Sequence, residues 1–256
     1  MPITRYHLFL VLTLTWLSCS APWALRQGLQ SGLYEREGAI FRSDTTAKRL
    51  YLMFTGHDYA DGGDHIRQVL KKHHLLAYFF FTGDFIRRYP ALVQALHRDG
   101  HYIGPHSDRH LLYCDWENRD SLLVDEKTFK ADLKANQDAL EVLNIVTTSR
   151  QRWFMPPYEW YNASIHTWAN DLGWTLINFT PGTGTNADNS TPDSPNYRST
   201  QTIVQQFWSY ARESPHGLNG FHLLIHIGTD PRRTDKLYLQ LDDLVHQLKN
   251  LGYQFK

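Results

Sequence analysis

A chain of 256 residues with 42% hydrophobic side chains can bury a sizeable core and suits one larger domain or a barrel. Its 26 basic and 26 acidic side chains cancel, so no basic surface is specified and nucleic acid is excluded as an expected partner. Aromatic residues make up 14% and include eight Trp; most belong in a core, but rings left exposed in a groove would stack on sugars.

In chain order, residues 1–24 read as an export signal. Arg5 is followed by the apolar run LFLVLTLTWL and the small residues SCSA, and that run is too short to span a membrane. The mature chain is therefore expected in the periplasm or outside the cell, with no stable membrane span. Cys19 stands where the lipid-carrying cysteine of a bacterial lipoprotein would, although the WLS before it departs from that signal. Cys114 is the other cysteine, so no disulfide within the mature domain can staple the fold.

A lead-in over 25–47 precedes a domain over 48–256 in which strands and helices alternate. YLMF (51–54) reads as a buried strand, and DHIRQVLKKHHL repeats its apolar side chains at helical spacing. AYFFFT (77–82) is a second strand, Pro90 opens a helix that Gly100 ends, and HYIG is the third strand. A long helix is expected over 126–143, a fourth strand at RWFMPP (152–157), and a helix capped by Asn162. WTLINFT (174–180) is the fifth strand. A polar loop from Pro181 to Arg198, a helix carrying Ile203, Val204 and Phe207, and the sixth strand FHLLIHI (221–227) follow. A final helix around Leu241–Leu248 and the strand GYQF complete seven strands and six helices.

Such alternation implies α/β architecture, a parallel sheet with right-handed crossovers that is either open or closed into a barrel, with its active site at the C-terminal strand edge. The chemically capable residues follow the strands in that way. Thr55, His57, Asp58 and Asp61 follow the first, His106 and His110 the third, and Pro157, Tyr158 and Glu159 the fourth. The TPGTGTNAD stretch follows the fifth, and His226 ends the sixth. Two imidazoles four apart plus a carboxylate from another strand can hold one divalent ion with positions left open, which suits metal-assisted hydrolysis with His226 as acid. Plainer roles stand beside these: Asp58 and Asp61 can cap the helix after the ADGG turn, His226 can be a core histidine, and Tyr158 and Trp160 can be packing. The loop TPGTGTNADNST lacks a Lys after its glycines, so it is a rim of the site rather than a phosphate cradle.

The order of His57-Asp58, AYFFFTGDF, His106-Ser107-x-x-His110, MPPYEW and LLIH resembles the polysaccharide deacetylases of the NodB homology type, carbohydrate esterase family four, over residues 48–256. That resemblance implies a distorted (β/α) barrel of about seven strands, related to the TIM barrel, and metal-dependent removal of N- or O-acetyl groups from a polysaccharide or oligosaccharide. By the same resemblance Asp58, His106 and His110 are the metal ligands and His226 the catalytic acid. Zinc is the first expectation for the ion, with cobalt, nickel or manganese also compatible with one Asp and two His. Pro157, Tyr158, Trp160 and Thr180 are the expected substrate contacts.

Two departures from the family pattern matter. TGHDYADGG puts His57 where the family's catalytic Asp stands in TFDDG, and Met155 replaces the Arg that would hold that Asp. The two changes agree with each other, because a histidine base is disfavoured by a cationic neighbour. An alternative alignment makes Asp61 the ligand or base. A catalytically inactive sugar-binding relative therefore remains an alternative. A third reading, an iron oxygenase built on His106, Asp108 and His226, conflicts with the βα alternation.

Overall fold

The computed structural model describes residues 32–146 and 152–256, together with a two-residue strand at Arg26–Gln27 (β1). Residues 1–24 and Cys19, and with them the export and lipidation readings, lie outside the described residues. No helix among the described residues is long and apolar enough to cross a membrane.

Four strands form the continuous parallel part of the sheet, in the order β9 (Phe221–His226), β4 (Arg49–Gly56), β5 (Tyr78–Phe81) and β6 (Tyr102–Pro105). Helices α1 (Gly63–His73), α2 (Gly83–Arg88) and α3 (Pro90–Arg98) lie between the first of these strands. α4 (Glu126–Val142), α5 (Ala163–Asp171), α6 (Thr200–Glu213) and α7 (Leu241–Asn250) follow. Their starts are chemically marked. Thr82, Asp125, Asn162 and Ser199 each accept a backbone N–H from three residues on, which satisfies a donor that the first helical turn leaves free.

Period-two alternation decides which side chains face where. Leu50, Leu52, Phe54, Phe79, Phe81, Leu223 and Ile225 point outward and pack beneath the helices. Stacked ring pairs Phe54–Phe79 and Phe81–Phe85, 4.9 and 4.4 Å between centres, run through that layer. The opposite face points into the barrel in three tiers. Tyr51, Tyr78, Tyr102, Trp153 and His222 form the lowest, and Met53, Phe80, Met155, Ile177 and Leu224 the middle. In the register that pairs Tyr51 with His222 and Met53 with Leu224, the next inward pair is Thr55 with His226. His226 therefore reaches the upper tier because it lies an even number of residues after His222.

Three departures from the sequence reading have physical causes. The fourth and fifth strands are only two residues long, β7 (Trp153–Phe154) and β8 (Thr175–Leu176), because Pro156 and Pro157 cannot donate to a ladder. The lead-in is a barrel wall rather than an approach: β2 (Tyr34–Arg36) and β3 (Ala39–Arg42) form an antiparallel hairpin, and β3 pairs with β9. Glu37 and Gly38 both have positive φ, 47° and 82°, which is the tight two-residue turn that matches strand twist. GYQF contributes β10 (Gln254–Phe255), but it pairs beside the first residues of β4 and lies off the main path.

The ring closes through sparse contacts. Met155 N donates to Pro105 O between β7 and β6, and Ile40 bridges to Ile177 between β3 and the chain after β8. Seven strands, β3 to β9 without β1, β2 and β10, thus surround the interior as a distorted barrel.

Candidate catalytic cavity at the C-terminal edge of the barrel

Above the upper tier lies a cavity of about 600 Å³ lined by Thr55, His57, Asp58, His106, His110, Tyr158 and His226, among others. They come from four strand ends: Thr55, His57 and Asp58 from β4, His106 and His110 from β6, Tyr158 from beyond β7 and His226 from β9. The loop after β6 makes the tightest turn, with Ser107 and His110 both in the left-handed region at φ 71° and 55°. Non-glycine residues hold such angles only where their surroundings fix them. Here Asp132 accepts from Asp108 N and Arg109 N, Asn136 accepts from His106 N, and Ser107 Oγ accepts from Leu111 N.

The two histidines of this turn are prepared differently from surface imidazoles. His106 Nδ1 lies 2.8 Å from Met155 O, and a carbonyl can only accept, so the proton is on Nδ1 and Nε2 keeps its lone pair. Burial holds His106 down to about 3 against the help of that carbonyl. Burial, with His106 and His57 nearby, holds His110 to about 2. Both rings are therefore neutral at ordinary pH and ready to donate a lone pair, and their centres are 5.1 Å apart.

His226 is the opposite case. Its Nδ1 lies 2.6 Å from Asp188 Oδ1, and its backbone N–H donates to Oδ2 of the same fully buried carboxylate. Burial opposes its charge, but Asp188 and then Glu159 outweigh burial and raise its pKa above the ordinary value. One face of the cavity thus carries neutral imidazoles and another an imidazole that takes up a second proton more readily than usual. Asp188 was not singled out in the sequence, where it lies inside the stretch read as a rim. Glu159, which stands in the left-handed region beside Tyr158, is pushed up to about 7 by burial, with His226 opposing and Asp188 adding to the shift.

His57 lines the cavity with its ring stacked on that of His110, 4.6 Å between centres and 12° between planes. Parallel rings direct their lone pairs side by side, so the two do not converge on one ion as they stand. His57 Nδ1 meets the Thr82 hydroxyl at 3.2 Å, a partner that can accept or donate and so permits either tautomer. Asp58 lines the same cavity, but its half-exposed carboxylate is turned toward Arg88 at 3.5 Å and lies 3.7 Å from His57 Nε2. No three His, Cys, Asp or Glu side chains among the described residues converge tightly enough to hold an ion. His106 and His110 fit a divalent ion by tautomer and charge; the carboxylate of Asp58 is near but directed elsewhere.

Other sequence candidates are dispersed. Asp61 does not line the cavity: its carboxylate accepts from Thr229 N and Tyr238 OH and pairs with Lys236 at 3.1 Å, pinning the loop after β9. Thr180 is buried in the wall, where its hydroxyl donates to Phe41 O and accepts from His222 N. Asp108 is committed to Arg87 through two hydrogen bonds, which removes the carboxylate from an iron triad with His106 and His226. Tyr158 is on the rim, its ring 4.3 Å from His110. Pro157 is buried beneath it, and Trp160 belongs to a neighbouring cavity with Glu159.

The chain's relatives are consistent with this geometry. The sequence profile of the family described as polysaccharide deacetylase matches residues 42–177. An uncharacterized 30.6 kDa protein of Geobacillus stearothermophilus is 32% identical over 112 residues, 43% of this chain and 39% of that one. The peptidoglycan-N-acetylmuramic acid deacetylase PdaA of Bacillus subtilis is 36% identical over 81 residues, 31% of this chain and 30% of its own. The matches thus span well under half the length of these two relatives. In structure, PdaA, a family 4 carbohydrate esterase, superposes with a TM-score of 0.64 at 19% identity, covering 91% of this chain and 93% of that one. BA3943, a CE4 family pseudoenzyme from Bacillus anthracis, gives 0.67 at 18% identity over 86% of this chain and 67% of its own. At such identities these structures speak for the shared fold.

Proposed function

Because this chain belongs to the polysaccharide deacetylase family, we propose that it is a metal-dependent hydrolase that releases N- or O-acetyl groups from an acetylated polysaccharide or oligosaccharide. The observation that carries this reading is the opposition of proton affinities in one cavity, with His106 and His110 held neutral and His226, hydrogen-bonded through Nδ1 to Asp188, made easier to protonate.

His106 through Nε2 and His110 would hold a divalent ion, zinc first, with Asp58 joining them once its carboxylate leaves Arg88. When bound, such an ion polarises a carbonyl and lowers the pKa of water. The chain's own residues supply the rest. His226 keeps Nδ1–H on Asp188, so the proton it can transfer to a leaving nitrogen or oxygen is on Nε2, facing the cavity. His57, whose Thr82 partner tolerates both tautomers, takes a proton from attacking water. Tyr158 closes the rim over His110. The apolar segment near the amino terminus supports action outside the cytoplasm.

The test is acetate release from acetylated xylan, chitin oligomers and peptidoglycan by chelator-stripped protein, with and without added zinc or cobalt. Release that returns only with metal supports the reading; metal binding with no acetate from any substrate rejects it. The turned-away Asp58 and the stacked His57 favour a second reading, a catalytically silent glycan-binding relative, and that last outcome would support it.

A further inference from the structure

The upper tier of the barrel holds a hydroxyl that the fold does not employ. Thr55 is buried at 1% exposure on the inward face of β4, and its Oγ has no partner among the described residues. The other buried threonines differ: Thr82, Thr180, Thr183, Thr185, Thr200 and Thr229 each hydrogen-bond through the hydroxyl. To one side of Thr55 and beneath it the neighbours are apolar, with Phe80 its partner on β5 and Met53 and Leu224 in the tier below. A valine has the same branched shape, suits a strand as well and leaves no hydroxyl to satisfy, so packing alone does not call for Thr here.

On its other side Thr55 is paired with His226 of β9, and both line the catalytic cavity. Partners on adjacent strands start about 4.8 Å apart, so an atom seated against His226 Nε2 lies beside the hydroxyl as well. In the hydrolysis of an amide, water adds its oxygen to the acetyl carbon and gives one proton to His57. The carbon–nitrogen bond then breaks, its electron pair stays on nitrogen and takes the Nε2 proton of His226, and acetic acid and an amine are left. Throughout, the nitrogen keeps its own hydrogen. That hydrogen has to point away from His226 for the electron pair to point toward it, and an acceptor on the neighbouring strand fixes the direction. An ester oxygen carries no hydrogen and gains nothing from such an acceptor.

We propose that Thr55 Oγ accepts the N–H of the scissile amide, so that this cavity is built for N-acetyl rather than O-acetyl groups; this rests on the deacetylase reading of the same cavity. Thr55 is then a specificity-determining contact, distinct from the acid and the base that move protons.

Matched glucose tetrasaccharides bearing 2-acetamido or 2-acetoxy groups test this with the zinc-supplemented protein. Wild type is expected to release acetate from the amide. Thr55→Val should lower the amide-to-ester ratio of kcat about tenfold, the scale of one hydrogen bond, and Thr55→Ser should restore it. If the amide alone is turned over, the same fall and recovery are read in its kcat. An equal loss on both substrates, as a packing defect would give, overturns the proposal, as do an unchanged ratio or kcat and release from the ester alone. No acetate from either substrate rejects the deacetylase reading instead, and calorimetric titration with the acetamido tetrasaccharide then decides the role of Thr55. Binding weakened about tenfold in Thr55→Val and recovered in Thr55→Ser supports it. Binding equal in the three proteins, or absent from all of them, overturns it.

Discussion

The imidazole of His57 lies parallel to that of His110, 4.6 Å from it, in a cavity where His110 stays neutral. On the proposed reading His57 is placed to act on water beside a divalent ion without itself holding it. His57→Ala should lower kcat for acetate release by about 10² or more, the usual scale for a lost general base, while zinc affinity by titration changes little. Unchanged kcat would remove His57 from the chemistry.

Asp58 makes the contrasting prediction. Its carboxylate lines the same cavity as His106 and His110, so Asp58→Ala should weaken zinc binding and abolish acetate release together. A variant with full zinc affinity and full activity would exclude it as a ligand.

The His226–Asp188 pair sets a pH limit. A general acid works while protonated, so activity falls as pH rises through the pKa of His226, which lies above the ordinary value. Asp188→Asn removes the main group that raises it and leaves burial to lower it. The basic limb of kcat against pH should therefore move to lower pH, and an unmoved limb would assign the acid to another group.

His222, in the lowest tier, governs stability rather than activity. Burial holds it to about 4, with Asn178 O opposing and Arg42 adding to the shift, against an ordinary value of 6.5. The unfolded chain binds its proton first on acidification, so this residue's contribution is intact above 6.5 and is lost as pH falls toward 4, by about 3 kcal/mol. Urea denaturation across that range should show the loss, and His222→Gln, which does not titrate, should flatten the slope. An equal slope in the variant would place the acid sensitivity elsewhere.

The sequence made the parallel strands legible because β4, β5 and β9 are buried on both faces and read as unbroken apolar runs. His106, His110 and His226 were legible for the same reason, since each follows such a run. Asp188 was not, because it reaches His226 from a loop 38 residues away and no periodicity marks it. The β2–β3 hairpin carried a signal, the Glu37-Gly38 pair between two short alternating segments. The direction of Asp58 lay beyond sequence reasoning, because Arg88 approaches it from the end of a different helix.

The aromatic lowest tier gives the catalytic cavity a floor. Tyr51, Tyr78, Tyr102 and Trp153 pack across the barrel beneath Met53 and Leu224, so among the described residues the interior below the cavity is filled with rings. Whatever enters above His226 must leave by the same mouth. For a long chain laid across that mouth, a small product formed underneath is trapped until the chain lifts or slides, which makes the order of departure a property of the barrel itself.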